Sequence, residues 1–250
     1  MDFKFIFNRE TLEDVARGLK DLAKIDTMIK IKIDHDNILF YSKAGTMHSI
    51  KAFKSFIYNY DDLIESDEKI VMDFIILNGK NFVDNLSLML KKEGVVAGKL
   101  SYNEGAKCGN ILHLSNGTMK FKFISGDYTQ IKDISKNEID LKMNPDNANF
   151  NFSIDKETFT DIKKLSKMNK SEIINFKTKK NKVSFFDKKW NVHVDEITDE
   201  EVDDNTYTFN NKYIQSINLA DEIVVNVFDT FILIKDDFVT LLIGLELSDF

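Results

Sequence analysis

The sequence predicts an α+β fold made of two similar domains in tandem, and three observations support this prediction. Segments from the first part of the chain recur in the same order after about residue 150. Stretches such as Ile29, Ile31 and Ile33 alternate apolar and polar residues with the period of a β-strand. Residues 9–24 instead place apolar side chains every three or four positions, which indicates an amphipathic helix.

The internal repeat consists of paired segments that keep their order in both halves of the chain. Each half is therefore predicted to contain a strand, a helix, several strands, a short helix and a closing hairpin. Asn116-Gly117 and Asp236-Asp237 fall at the turns of the two closing hairpins. The pairs are residues 3–15 with 150–162, 29–42 with 174–187, 77–86 with 209–217, and 111–121 with 231–241.

The domain boundaries follow from the repeat. Residues 129–147 lie between the two halves, are polar, and contain the single proline, Pro145. We expect one domain at 1–128, a connector at 129–147 and a second domain at 148–250. Each domain should pack two helices on antiparallel sheets.

The composition fits a folded intracellular protein. Hydrophobic residues make up 43% of the 250 residues and aromatic residues 12%, which is enough for a packed core. The single cysteine, Cys108, provides no internal disulfide and suits a reducing cytoplasm. The N-terminus alternates in polarity, and charges interrupt the apolar stretch Ile223–Leu247, so we expect neither a signal peptide nor a membrane partner.

Basic residues lie on predicted helices, although the net charge is −7. They lie opposite the apolar stripe of the first helix, on the outward side of its counterpart at 156–167, and at the starts of the second pair of helices. Asp14 and Asp21 lie beside the basic residues of the first helix. Asn8 and Asp155 occupy helix N-cap positions. The basic residues are Arg17, Lys20, Lys24, Lys80, Lys163, Lys164, Lys167, Lys170 and Lys212.

Two interpretations of these basic residues remain open. Exposed helix faces commonly carry lysines without any ligand. Their recurrence on equivalent helices favours phosphate contacts instead, which give affinity for duplex DNA without sequence preference.

Catalytic and metal-binding patterns are missing from the sequence. The four histidines are scattered, and one cysteine cannot build a zinc site. Residues 94–98 contain two glycines but lack the lysine and the strand-to-helix context of a phosphate-binding loop. We therefore predict a non-enzymatic protein without a cofactor or a metal.

The runs FSIDKETFTDIKKLSK, INFKTKKNKVSFFD and YTFNNKYIQSI, followed by the ending Leu247–Phe250, resemble the second domain of the sliding clamps. These are ring-shaped processivity factors of DNA polymerases. Among them the chain most resembles the clamps of T-even-type bacteriophages. The likeness extends over the whole length as pattern and order rather than as one signature motif.

The resemblance implies a fold, an assembly and partners. Clamps of this type have two domains per chain and close as homotrimers by head-to-tail contacts, whereas bacterial clamps have three domains per chain and close as dimers. Their helices line a central hole around duplex DNA, which would place the basic residues named above inside the ring. Such a clamp tethers a DNA polymerase and is opened by a clamp loader, here in the cytoplasm of a host cell if the protein is viral.

The resemblance also implies a pocket for partner peptides between the domains. By position alone, Tyr41, His48, Ile131, Leu247 and Phe250 are the candidates. An equal alternative is that each is an ordinary strand residue.

Two other functions remain open at this stage. One is a β-rich phage structural protein that assembles into a ring or tube. The other is a monomeric processivity subunit of the same fold that holds DNA by charge alone.

Overall fold

A computed structural model of the chain describes residues 1–45, 50–103, 105–127, 144–179, 182–194, 202–216, 222–235 and 239–245. Within them the chain forms five α-helices, a short 3-10 helix and seventeen strands, which confirms the α+β prediction. Two compact units are present: Met1–Lys43 with Lys54–Asp133 (unit 1), and Ala44–Phe53 with Ile134–Phe250 (unit 2). Most of the predicted connector, residues 129–143, lies outside the described residues, so the domain boundaries remain a prediction.

The first half of the chain contains nine strands and three helices among the described residues. In chain order they are β1 Asp2–Phe7, α1 Arg9–Ile25, β2 Ile29–Ile33, β3 Asn37–Gly45, β4 Ile50–Asn59, α2 Tyr60–Leu63, β5 Ile64–Glu65, β6 Met72–Ile76, α3 Gly79–Leu90, β7 Ala97–Asn103, β8 Cys108–Ser115 and β9 Lys120–Ile124.

The second half begins with the 3-10 helix Pro145–Asn147 and continues with eight strands and two helices in its described part. In chain order they are β10 Phe150–Asp155, α4 Lys156–Met168, β11 Ile173–Lys179, β12 Lys182–Phe186, β13 Asn191–Val194, β14 Thr206–Asn210, α5 Asn211–Ile214, β15 Glu222–Val227, β16 Phe231–Lys235 and β17 Val239–Gly244.

The strand order repeats between the two units, as the internal repeat predicts. The first half of the chain contains the series β4-β3-β2-β6 and β1-β7-β8-β9, and the second half contains β13-β12-β11-β14 and β10-β15-β16-β17. The second series is antiparallel throughout in both halves. The pairs β1 with β7, β7 with β8 and β8 with β9 correspond to β10 with β15, β15 with β16 and β16 with β17. The duplication inferred from four short matches therefore extends to the topology.

The first helix of each unit begins where a polar side chain caps it. The Asn8 Oδ1 atom accepts a hydrogen bond from the Thr11 amide at 3.2 Å, and an Asp155 carboxylate oxygen accepts one from the Thr158 amide at 2.8 Å. The Thr158 hydroxyl and backbone amide both donate hydrogen bonds to this carboxylate and lower the pKa of Asp155 below its usual value, and the hydroxyl has the larger effect. Both predicted N-caps are confirmed.

Each unit has an apolar core between its helices and sheets. In α1 the residues Leu12, Leu19 and Leu22 are buried, and in α4 so are Phe159 and Ile162. At roughly 25 cal/mol per Å² of apolar surface, each of these side chains contributes about 1.5–3 kcal/mol to folding. The helices are therefore held with one face fixed toward the core and the opposite face exposed.

The sequence suggested that Asp21 lies with the exposed charges of α1, but the structure places it elsewhere. It is only 4% exposed, and its carboxylate contacts the ammonium groups of Lys24 at 2.8 Å and Lys54 at 3.5 Å. A buried carboxylate is costly unless a cation accompanies it. Lys54 comes from β4, far away in sequence, so helical periodicity could not reveal this pairing.

Candidate nucleic-acid interface

The helices of each unit are joined to one another by packing and hydrogen bonds. In unit 1, α1 packs against α3. In unit 2, the side-chain amide of Gln215, at the end of α5, donates hydrogen bonds to the Lys163 carbonyl at 3.2 Å and to the Ser166 hydroxyl at 2.9 Å, both in α4. Each unit thus carries a helix pair with basic side chains on its exposed side.

The basic residues of α1 are largely neutralised by acidic neighbours. Arg17 forms an ion pair with Asp14, and Lys24 pairs with the buried Asp21. Lys20 is exposed and makes no ion pair with the described residues. Because α1 carries four basic and four acidic side chains, its net charge is zero.

Helix α4 has an excess of positive charge. It carries four basic and two acidic side chains. Lys164 pairs with Asp161 at 3.2 Å, and Lys163 is half-buried. Lys167 is exposed, with no ion-pair partner within the described part of the chain. The sequence predicted equivalent basic faces, and the ion pairs make them unequal in strength.

Lys170 lies just past α4 in an unusual backbone conformation. Its φ angle is +54°, in the left-handed region that glycine normally occupies. The Ser171 amide donates to the Ser166 carbonyl at 2.9 Å and the Lys170 amide to the Lys167 carbonyl at 3.2 Å, the pattern of a Schellman cap. The helix therefore ends with an exposed lysine at the position where glycine is preferred.

Lys80 and Lys212 occupy equivalent places at the starts of α3 and α5. The caps are Asn78, which accepts from the Asn81 amide at 3.0 Å, and Asn210, which accepts from the Lys212 amide at 2.9 Å. Both lysines are exposed. Their equivalence, predicted from the repeat, is confirmed by these caps, whereas DNA contact by the nine basic residues remains a prediction.

Lys188 and Lys189 were missed by sequence reasoning, because they belong to the turn between β12 and β13. Asp187 in this turn accepts a hydrogen bond from Ser171, directly after Lys170, and Trp190 Nε1 donates to the Ser171 hydroxyl at 3.3 Å. The turn is thereby tied to the end of α4. Its two exposed lysines add to the positive charge near Lys170.

Asp187 keeps its charge in this network. Burial has the largest influence and favours the neutral carboxyl, but the hydrogen bonds from Ser171 and from the Lys189 and Trp190 backbone together outweigh it and lower the pKa of Asp187. The Lys189 amide donates to this carboxylate at 2.6 Å.

The predicted peptide pocket is not described by the structure. Tyr41 lies in β3 and is 4% exposed. The other four candidates, His48, Ile131, Leu247 and Phe250, lie outside the described residues. The pocket therefore remains a prediction.

The described residues contain no group of three or more His, Cys, Asp or Glu side chains arranged to hold a metal ion. None of the helices in the described part of the chain is both long and apolar enough to cross a bilayer.

Comparison with solved structures identifies the fold as that of the bacterial β clamps. The chain is similar to the Helicobacter pylori β clamp, with a TM-score of 0.67, 11% identity, and 100% of this chain covering 65% of that one. It is similar to the Thermotoga maritima DNA polymerase III β subunit, with a TM-score of 0.65, 13% identity, and coverage of 99% and 65%. For the Streptococcus pneumoniae β chain the TM-score is 0.63 at 11% identity, with coverage of 99% and 66%.

The chain thus spans about two thirds of the length of these clamps, and at this identity the likeness establishes the fold alone. No family model and no curated protein sequence matches the chain.

Proposed function

We propose that this protein is a non-enzymatic sliding clamp, which encircles duplex DNA and tethers a DNA polymerase for processive synthesis. The observation that carries the proposal is the match of the whole chain to bacterial β clamps, among them the β subunit of a DNA polymerase III. The exposed lysines in and beside α4 support contact with phosphates. Since enclosure rather than tight binding retains a ring on DNA, weak contacts of this kind suffice.

The proposed ring contains three copies. The chain carries two equivalent units and spans about two thirds of the β clamps that it resembles. Bacterial clamps close with two chains of three domains each. Three chains of two units would supply the same number of domains to a ring. Two units per chain also match the T-even-type phage clamps suggested by the sequence.

Free strand edges offer a route to head-to-tail closure. Within unit 2, β17 is the neighbour of the first part of β4, Ile50–Phe53. The equivalents of these two strands are β9 and β13, and neither has a partner on its outer edge among the described residues. We propose that β9 of one copy pairs with β13 of the next, a heterologous contact that can close a ring.

Partner peptides are the third part of the proposal. One solved structure with this fold, at a TM-score of 0.65 and 13% identity, is the Helicobacter pylori β clamp bound to a DNA ligase peptide. We propose that polymerase and clamp-loader peptides dock on this chain in the same general way, near Tyr41, His48, Ile131, Leu247 and Phe250.

Retention on end-blocked DNA tests the ring. The protein is threaded onto linear duplex DNA through its free ends, both ends are capped with a bulky protein, and the DNA is washed at about 1 M salt, where charge contacts are screened. A ring stays bound until one cap is cut away, and then it dissociates.

The alternatives give different results in the same experiment. A monomeric processivity subunit would be removed by salt whether or not the ends are capped. A phage structural protein would not be retained on either DNA.

A further inference from the structure

Four basic side chains form a row across the β1-β7-β8-β9 sheet of unit 1. In strand register, Lys4 lies opposite Lys99, Lys99 opposite His113, and His113 opposite Lys122. All four are exposed, and directly opposed residues share one face of a sheet. At about 4.8 Å between strands the row is about 14 Å long. We refer to these four residues as the basic row.

The basic row lies away from the helix surfaces. Along β1 the residues Phe3 and Phe5 are buried, so Lys4 between them points to the opposite face of the sheet. Contacts of the helix lysines with DNA therefore do not account for the row.

The basic row is unfavourable for the folded chain by itself. Lys4 and Lys99 are like charges directly opposite each other, an arrangement that destabilises a sheet. Lys99 is compensated by Asp2, whose carboxylate lies 2.7 Å from its ammonium group. Lys4 and Lys122 make no ion pair with the described residues.

Unit 2 shows that the fold does not require these charges. Its equivalent row consists of Asn151, Asn226, Leu233 and Leu242, which are opposed in the same order. None of these residues is charged, and Asn226, Leu233 and Leu242 are buried, so this face of the sheet is covered in unit 2, whereas in unit 1 it is exposed. The basic row is therefore a property of unit 1 alone.

The surroundings of the basic row specify the chemistry of a ligand. Three residues of the row, Lys4, Lys99 and His113, line an open groove. This groove also includes Ile6 and Ser115, with Glu65 and Asp67 at the β5 side. Ile6 is 42% exposed, and Ile124, beside Lys122, is 65% exposed. A matching ligand has negative charge over the row, apolar groups beside it, and positive charge near Glu65 and Asp67.

We propose that the basic row is a docking site for an acidic peptide segment of a partner protein, lying in extended form across the strands. In an extended chain, three acidic residues at alternate positions span about 13 Å, which matches the row. A nucleic acid fits less well, because Phe5, the aromatic residue that lines this groove, is only 7% exposed and offers no surface on which bases could stack, and because Glu65 and Asp67 repel phosphates.

The test measures fluorescence anisotropy with the full-length protein and a short labelled peptide. The peptide has three glutamates at alternate positions, leucines between them, and an arginine at one end. The row variant Lys4→Gln/Lys99→Gln/Lys122→Gln is expected to bind it at least about tenfold more weakly than the unaltered protein. The peptide with glutamine in place of glutamate should not bind either protein.

A charge-matched variant controls for net charge. Lys179→Gln/Lys182→Gln/Lys235→Gln removes three exposed lysines of unit 2 and should bind the acidic peptide as the unaltered protein does. The melting temperature of the row variant should be unchanged or higher, because repulsion is removed. Equal loss of binding in both variants would overturn the proposal, as would loss of duplex DNA binding, rather than of peptide binding, in the row variant.

Discussion

At the scale of single residues, ion pairing would decide which basic side chains are available to DNA in the proposed clamp. Arg17 and Lys167 occupy exposed positions on the first helices of the two units, but only Arg17 has an acidic partner, Asp14. An exposed pair of this kind contributes about 0.2–1 kcal/mol and must be given up when a phosphate binds. Lys167 bears no such cost.

We therefore expect Lys167→Gln to weaken duplex DNA binding more than Arg17→Gln does. Removal of one phosphate contact should lower the slope of log affinity against log salt by about 1 for Lys167→Gln, and by less for Arg17→Gln. Titration at several salt concentrations measures both. Equal slopes in the two variants would show that pairing with Asp14 does not matter.

Lys170 combines a charge with backbone strain, and two substitutions separate them. Lys170→Gly should stabilise the fold by about 0.5–1 kcal/mol, because the left-handed conformation carries no Cβ penalty in glycine. Lys170→Gln keeps the strain and should give no gain. Both variants lose the charge and should weaken DNA binding alike. Urea unfolding measures the change in stability, and DNA titration measures the change in binding.

At the scale of elements, the turn between β12 and β13 is fixed to the end of α4 by the Ser171–Asp187–Trp190 network. This network also positions Lys188 and Lys189. Trp190 is the single tryptophan of the chain and is 8% exposed, so its fluorescence reports on this part of the structure.

Asp187→Asn should destabilise unit 2 by on the order of 1–2 kcal/mol at neutral pH, because charge-assisted hydrogen bonds are lost. The folded pKa of Asp187 is lowered, so its contribution is complete above the unfolded pKa of about 3.9 and is lost as pH falls through the folded value. The stability difference between the two proteins should shrink below about pH 4.

Urea unfolding followed by Trp190 fluorescence at neutral and acidic pH measures this difference. Glu172→Gln, an exposed carboxylate nearby, is the control and should change little. A difference that stays constant with pH would exclude a role for the Asp187 charge.

At the scale of the whole molecule, the proposed assembly depends on the outer edges of β9 and β13, which have no partner among the described residues. The Ser125 amide donates to the Asn110 carbonyl at 2.8 Å, so the alternating amides of β9, including that of Lys122, point away from β8. A proline at position 122 removes an outward amide while keeping the bonds to β8.

Lys122→Pro should therefore reduce the mass seen by light scattering from three chains to one, whereas Lys122→Gln, which loses only the charge, should remain trimeric. Circular dichroism of both variants should match the unaltered protein. A trimeric Lys122→Pro variant would exclude β9 from the interface, and a monomeric unaltered protein at micromolar concentration would count against the ring.

Local patterns in the sequence were sufficient for most of the element order, the duplication, the two N-caps and the exposure of most helix lysines, although the short helix α2 was not predicted and Lys163 is half-buried. Each depends on residues close together in the chain, through strand period, helix period and capping. Strand register and ion pairing instead join residues far apart, and no local pattern encodes them. Only the tertiary structure could therefore place Asp21 against Lys54, bring Lys188 and Lys189 to the end of α4, and align the basic row across four strands.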